Sequence, residues 1–393
     1  MTATSSPHDI VITGLGILTA HGLGMGANLD VFEHPSDKST QEDLKVKGFN
    51  PVPHLTDRKV VKVVSHRDAL GLVAFEECLR NSGISSKTIN PDRTGLYVGA
   101  PPSSCIDHHN YNEGILASVD PYGQLQEKNF GENFRSASPT TLLTGLPNNV
   151  LCYGAKTLDA RGPNSNYTTM ETSAHMAIIG ACRSIKLGRL DCAVAGGYSA
   201  HSDKVFAASA RQRGLSSGTP ISEGAAFATI ETRENATKRG AKPICSISSI
   251  TSGSDAIGPY EIDPSAGTLT NLIRNALAIA GVTTGDIAVI MMTGSGINSV
   301  DQAEQTAVNA LWSQDEKPIM ATTATRWGHM MEAGGLAEIG FLQNSFTSEK
   351  VPASAILGSS ANSALPSAKR HAVVLRSSPS GEYTCMIVRM EEA

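Results

Sequence analysis

The chain has 393 residues, with 32 basic against 37 acidic side chains and a formal charge of −5. Charged residues are 18% of it and aromatics 5%, while glycine fills 37 positions. This charge content lies well below the roughly 25% of an average soluble domain and describes a large buried sheet with closely packed helices. The absence of any Lys/Arg run excludes nucleic acid and anionic membrane as main partners, and no stretch approaches the roughly eighteen apolar residues of a membrane-spanning helix.

In chain order, the first apolar run is DIVITG (9–14), expected as a buried strand. The leading MTATSSPHDIVITGLGILTA ends in small residues but lacks a basic start, and Gly14 and Gly16 interrupt it, so it does not read as a secretion signal. A helix is predicted over 66–82, then strands over 95–100, 192–197 and 225–231, with a helix over 171–187 between them. The charged stretch 231–242 reads as a surface connection. Beyond it, strands are predicted over 244–250, 287–294, 354–360 and 371–378, and helices over 267–280, 301–312 and 330–347. Near-continuous apolar strands of this kind are covered on both faces, as in a sheet between helical layers.

The two parts repeat one another. Residues 74–100 and 272–296 each give a helix, a Gly-Ile or Gly-Val turn, a polar loop and a strand ending in glycine. MAIIGACRSIKLGRLDCAVAGGYS and LAEIGFLQNSFTSEKVPASAILGSS form a second such pair. This duplication divides the chain into an N-terminal half, 1–232, with an insertion at about 101–165, and a C-terminal half, 243–393. The insertion has no counterpart and is expected to serve binding or a subunit surface.

Few familiar catalytic patterns are present. Gly14 and Gly16 begin a dinucleotide fingerprint, but Thr19 stands where its third glycine belongs. GxxxxGK[ST], GxSxG and HExxH do not occur, His108 and His109 have no third metal ligand in view, and no metal or cofactor is expected. Seven scattered cysteines (Cys78, Cys105, Cys152, Cys182, Cys192, Cys245, Cys385), without a CxxC pair, fit a reducing cytoplasm.

One ordered set of motifs is informative. VITGLG, GLYVG, GPN, the TSAH turn, IKLGRLDCAVAGG, SEGAAFATIE with ATKRGAKP, DQAE (301–304) and GHMMEAGG follow one another between Val11 and Leu375. In this order they resemble the β-ketoacyl synthases, the condensing enzymes of the thiolase superfamily. The resemblance implies an α/β fold of two similar halves stacked as a five-layered αβαβα sandwich. It also implies a cysteine nucleophile at a helix N-terminus, where the dipole favours the thiolate, and two histidines that stabilise an enolate.

Matched residue by residue, those positions have changed. Glu171 occupies the nucleophile position, or Met170 if the register slips by one; Thr293 occupies the first histidine position and His329 the second. Ala324 replaces a lysine five residues before His329, and residues 363–368 replace the glycine-rich gating loop. A carboxylate is a weak nucleophile and threonine a weaker donor than histidine, so condensation by this chain alone is not expected. Glu171 reads either as a carboxylate satisfying the N–H groups of a buried helix start or as a polar plug, the structural role being favoured.

These departures look like the chain length factor, the catalytically silent partner of a ketosynthase in type II polyketide synthases. The resemblance implies a cytoplasmic heterodimer with a catalytic ketosynthase subunit, served by an acyl carrier protein bearing malonyl or polyketide chains, with no nucleic acid or membrane partner. Asn164, Ser165, Asn166, Tyr167, Thr168 and Thr169 would pair across the interface, and Cys105, His108 and Asn112 would close the acyl tunnel or merely pack there. None of these three is a bulky aromatic, which implies a longer or differently shaped tunnel. Arg211 and Arg213 are weak candidates for carrier docking. A permanent interface would also account for the low surface charge. A different class, a decarboxylase or hydrolase of malonyl or acyl thioesters with Glu171 or His329 as acid/base, remains open, as does a stand-alone homodimeric acyl-binding protein.

Overall fold

A computed structural model of the chain describes residues 6–34, 44–102, 113–133, 141–200 and 219–392. Ten main strands follow in order: β1 (Ile10–Thr19), β2 (Thr94–Gly99), β3 (Asn164–Tyr167), β4 (Cys192–Ser199), β5 (Gly224–Thr232), β6 (Cys245–Ser254), β7 (Ile287–Met291), β8 (Ile319–Ala321), β9 (His371–Ser377) and β10 (Glu382–Met390). The principal helices are α1 (Met25–Glu33), α2 (His66–Ser82), α3 (Glu127–Asn133), α4 (Asn149–Leu158), α5 (Ser173–Lys186), α6 (Arg233–Lys238), α7 (Gly267–Ala280), α8 (Asn298–Leu311) and α9 (Ala337–Thr347).

The duplication is written into the strand order, β3-β2-β4-β5-β1-β6-β10-β9-β7-β8. Counted within its own five strands, each half reads 3-2-4-5-1 from the outer edge. In both halves the first three strands from the edge are parallel and the last two join antiparallel. The halves meet where β1 pairs antiparallel with β6, Val11 opposite Ser246 and Ile12 opposite Cys245. The corresponding helices also end alike: α2 stops at Gly83 (φ 70°) and α7 at Gly281 (φ 66°), each leading through a 3-10 turn into the next strand. α2 starts with a capping box, Ser65 and Asp68 bonding each other's backbone N–H.

Three apolar layers lie between the two halves of the sheet and their helices. Leu70, Val73 and Phe75 of α2 pack with Leu96 and Val98 of β2 on one outside face. Ile178 and Ala181 of α5 and Ile339 and Leu342 of α9 fill the centre, against Ile12, Tyr97, Val374 and Val388. Ile273 of α7 and Val308 of α8 cover the other outside face with Val373 and Leu375 of β9. Neighbouring residues such as Tyr97 and Val98, or Val373 and Val374, thus serve different layers, which is why these strands are apolar throughout. The result is the five-layered αβαβα sandwich of the thiolase-like ketosynthases.

Several expectations change. Residues 354–360 form no strand: after Pro352 comes a 3-10 turn over 353–355, and Gly358 (φ 73°) turns the chain again. Their role is to cover the exposed edge of β8, Leu357 N–H donating to the Met320 carbonyl at 2.9 Å, so the second repeated pair is incomplete. The helix expected from 330 begins only at Ala337, because Gly334 and Gly335 hold the preceding segment in a tight turn. Between 231 and 242, β5 runs to Thr232 and α6 follows. β10 carries no prediction from sequence. The insertion is divided: Val150 and Leu158 of α4 are buried in the outer core, whereas Leu116, Tyr122 and Leu125 are exposed, Tyr122 by 90%.

Candidate functional site

Close packing at the strand ends creates the site. A Cβ on Gly99, at the end of β2, would lie 2.6 Å from the Ser173 backbone, and one on Gly197, in β4, 2.2 Å from the Glu332 carbonyl oxygen. Only glycine lets the start of α5 and the 331–333 turn approach the sheet this closely. α5 is entered through a 3-10 turn, Met170–Thr172, whose Met170 adopts φ 51°, a left-handed conformation uncommon for a side chain of that size.

The turn carries Glu171, fully buried. Its Oε1 lies 3.8 Å from Nε2 of His329, itself fully buried, beyond hydrogen-bond length. Neither carboxylate oxygen and neither imidazole nitrogen has a hydrogen-bond partner, and Thr172, the N-cap of α5, makes no side-chain cap. The expected role of Glu171 in satisfying the helix N–H groups is therefore not what the structure shows; its carboxylate turns to His329 instead. Burial alone would raise the Glu171 carboxyl, but His329 and the Ser378 hydroxyl outweigh it and hold the group below the usual carboxylate range. Burial, and then the Arg376 charge, push His329 below an ordinary histidine, only partly opposed by Glu171. The pair is thus a carboxylate facing a neutral imidazole at pH 7.

Arg376 is a residue that the sequence reading missed. It is buried near the end of β9, with Nη1 3.7 Å from Oε1 of Glu338, Nε donating to the Glu171 carbonyl and Nη2 to that of Met331, both at 3.4 Å. Glu338 also accepts the Gly335 N–H at 2.7 Å and the Thr323 hydroxyl at 3.2 Å. Arg376 is thus the cation that meets Glu338. The AGG of GHMMEAGG makes room for it, since a Cβ on Gly334 would lie 2.3 Å from its Nη2. A lone arginine in the apolar run HAVVLRSS was the available signal.

Thr293 is bound elsewhere. Its N–H donates to Glu304 Oε2 at 2.9 Å, its hydroxyl donates to Oε1, and it accepts the Ser377 N–H at 2.9 Å. Ser377 also donates its hydroxyl to Glu304 at 2.6 Å. The residues that approach Glu171 are therefore those of the β9–β10 turn, through Ser378. The segment assigned to gating, 363–368, instead begins as a short hairpin, Ser363–Ala364 against Lys350–Val351.

None of the described cysteines supplies the missing thiol. Cys78, Cys182, Cys192, Cys245 and Cys385 are buried, which pushes their thiols up, to about 12 for Cys78 and Cys182, and Cys152 is exposed on α4. Asn164–Tyr167 do form a strand, β3, at the sheet edge, paired with β2; Thr168 and Thr169 follow as loop leading into the Met170 turn. Cys105, His108 and Asn112, like Arg211 and Arg213, lie outside the described residues.

His175, in the first turn of α5, is buried, with Nδ1 2.8 Å from the Thr384 hydroxyl. Burial, and then Arg376, lower its pKa to about 3. An unfolded chain binds this proton below about pH 6.5, whereas the folded one does not until about pH 3. The stability that His175 contributes is therefore complete above pH 6.5 and is lost as pH falls toward 3, at up to about 1.4 kcal/mol per pH unit. Urea midpoints between pH 6.5 and 5 should fall with acid less steeply in His175→Gln; an unchanged slope would refute this assignment.

Comparison with known proteins agrees with the architecture. The β-ketoacyl synthase N-terminal domain matches residues 8–240 and the C-terminal domain residues 244–357. The chain belongs to the β-ketoacyl synthase family. Among its relatives, nodulation protein E of Rhizobium meliloti is 27% identical over 291 residues, covering 70% of this chain and 67% of that protein. A Streptomyces cyaneus protein named as a polyketide β-ketoacyl synthase is 25% identical over 360 residues, covering 84% and 83%. Of solved structures, the ishigamide ketosynthase/chain length factor superposes with a TM-score of 0.80 at 18% identity, over 98% of this chain and 100% of that one. A β-ketoacyl synthase from Burkholderia phymatum STM815 gives 0.79 at 18%, with the same coverage. A complex described as a type II PKS acyl-carrier protein with its ketosynthase bound to the hexaketide gives 0.77 at 17%, again over 98% and 100%. The chain has the scaffold of this family, with Glu171 at the entry to α5 facing His329.

Proposed function

We propose that this chain is a chain length factor: a non-condensing subunit that pairs with a catalytic ketosynthase in the cytoplasm and shapes the interface tunnel for a growing polyketide chain. The observation that carries the reading is Glu171. A buried carboxylate cannot hold a stable acyl group, and it would face the carboxylate of an arriving malonyl unit with like charge and no water to screen it. Thr293, engaged by Glu304, has no spare strong donor for an enolate. The scaffold, in contrast, is complete, and β3 stands at the sheet edge with Leu116, Tyr122 and Leu125 exposed on the insertion. Apolar residues left in the open on a single subunit suit a permanent partner. The relatives support polyketide work, as does a structural neighbour that is a ketosynthase/chain length factor pair.

Co-expression tests this. The tagged chain should retain an untagged ketosynthase bearing the intact cysteine and both histidines, in a 1:1 complex, and product should require both subunits. A chain that purifies as a monomer and leaves product length unchanged would end the proposal.

The unbonded Glu171–His329 contact favours one second reading, proton transfer on malonyl or acyl thioesters. Release of carbon dioxide from malonyl carrier protein by the isolated chain, abolished in Glu171→Gln, would support that alternative.

A further inference from the structure

Buried charges in proteins are paired, so an arginine with idle donors inside a folded chain calls for an explanation. Arg67, in the first turn of α2, is only 8% exposed. Its Nη1 donates to the Pro102 carbonyl at 2.9 Å, but Nε and Nη2 have no acceptor. The nearest acid, Asp68, stands 3.8 Å from Nε, and other donors already hold it: Asn149 Nδ2 at 2.9 Å, the Ser65 hydroxyl at 2.7 Å and the Tyr198 hydroxyl at 3.1 Å.

What surrounds Arg67 narrows the missing partner. Tyr198 and Ser199 end β4, and Glu332, fully buried in the turn below, engages Ser199. Burial pushes Glu332 up to about 7, with Glu171 adding to the rise and Arg67 opposing it. One polar region therefore includes Glu332 and, within electrostatic reach of it, Glu171 and Arg67. It already contains the carboxyl groups of Asp68, Glu171 and Glu332, so another anion would be repelled. An uncharged acceptor would meet two N–H donors without adding charge.

We propose that Arg67 is a reading point for the bound chain, its Nε and Nη2 donating to a ketone oxygen of a β-keto acyl group. The inference rests on the reading of this chain as a tunnel-shaping subunit. It gives that reading a chemical preference: chains oxygenated at this depth are held, and fully reduced ones are not. Tyr198 and Asn149 position Arg67 indirectly by fixing Asp68, which leaves its outer donors free.

The test is binding rather than turnover. The full chain is titrated by calorimetry with 3-oxohexanoyl-N-acetylcysteamine and with hexanoyl-N-acetylcysteamine. The oxo ester should bind about tenfold more tightly, the weight of one net hydrogen bond to a charged donor. Arg67→Met should erase that difference, and Arg67→Lys should retain part of it; melting temperature checks that each variant is folded. Equal affinities in the native chain, no binding of either ester, or a preference that survives Arg67→Met would overturn the proposal. Since the readout is the oxo-to-saturated ratio, its failure is distinct from failure to retain a ketosynthase partner.

Discussion

Arg376→Met is expected to lower stability by about 3–5 kcal/mol, the usual result of breaking a buried ion pair from one side. The substitution leaves Glu338, only 4% exposed, without its cation. It also removes the side-chain donor from the carbonyls of Glu171 and Met331, which fix the two turns flanking the site. Arg376→Met with Glu338→Leu should recover much of the loss, because an apolar pair of similar volume avoids the stranded charge. A second signature is electrostatic. Burial depresses His175 and His329 most, but Arg376 contributes to both, so both imidazoles should titrate at higher pH in Arg376→Met. Urea unfolding and histidine NMR titration measure the two effects. A loss below about 1 kcal/mol would show that Arg376 does not organise this region.

Glu171→Cys is expected to leave condensation silent even though it restores a thiol beside His329. A thiol there would face His329 from further back than the carboxylate does, with the start of α5 behind it, and both favour the thiolate. Transfer of an acyl group from a thioester onto the chain should become visible by mass spectrometry. Carbon–carbon bond formation should not follow, since the enolate would lack its second strong donor. Loss of one such donor commonly costs roughly 10²–10³ in rate. The variant should therefore remain at least that far below a catalytic ketosynthase assayed alongside it. Condensation at a comparable rate would mean that Thr293 is released from Glu304 during catalysis, and that the chain is nearer to an enzyme than its native site suggests.

The parts of this protein that could be read from sequence are those set by local rules. Ser65, Asp68 and Gly83 mark α2, and Gly281 ends α7, so both helices were predicted with their observed bounds. Strands covered on both faces declare themselves as unbroken apolar runs, and the ordered motifs carried the family. Residues 354–360 were misread because an apolar run that caps a sheet edge resembles one that enters the sheet.

By itself, then, the sequence determined the layered fold, and it set Glu171, Thr293 and His329 against the family's site positions by motif order. Only the tertiary structure decided what the replacements do. Glu171, His329 and Arg376 are separated by about 160 and 50 residues in the chain, yet share one buried region where charge is costly. Which carboxylate meets which cation there is set by distance in three dimensions. That is why Glu171 faces His329 rather than capping α5, and why the cation beside Glu338 is an arginine from β9.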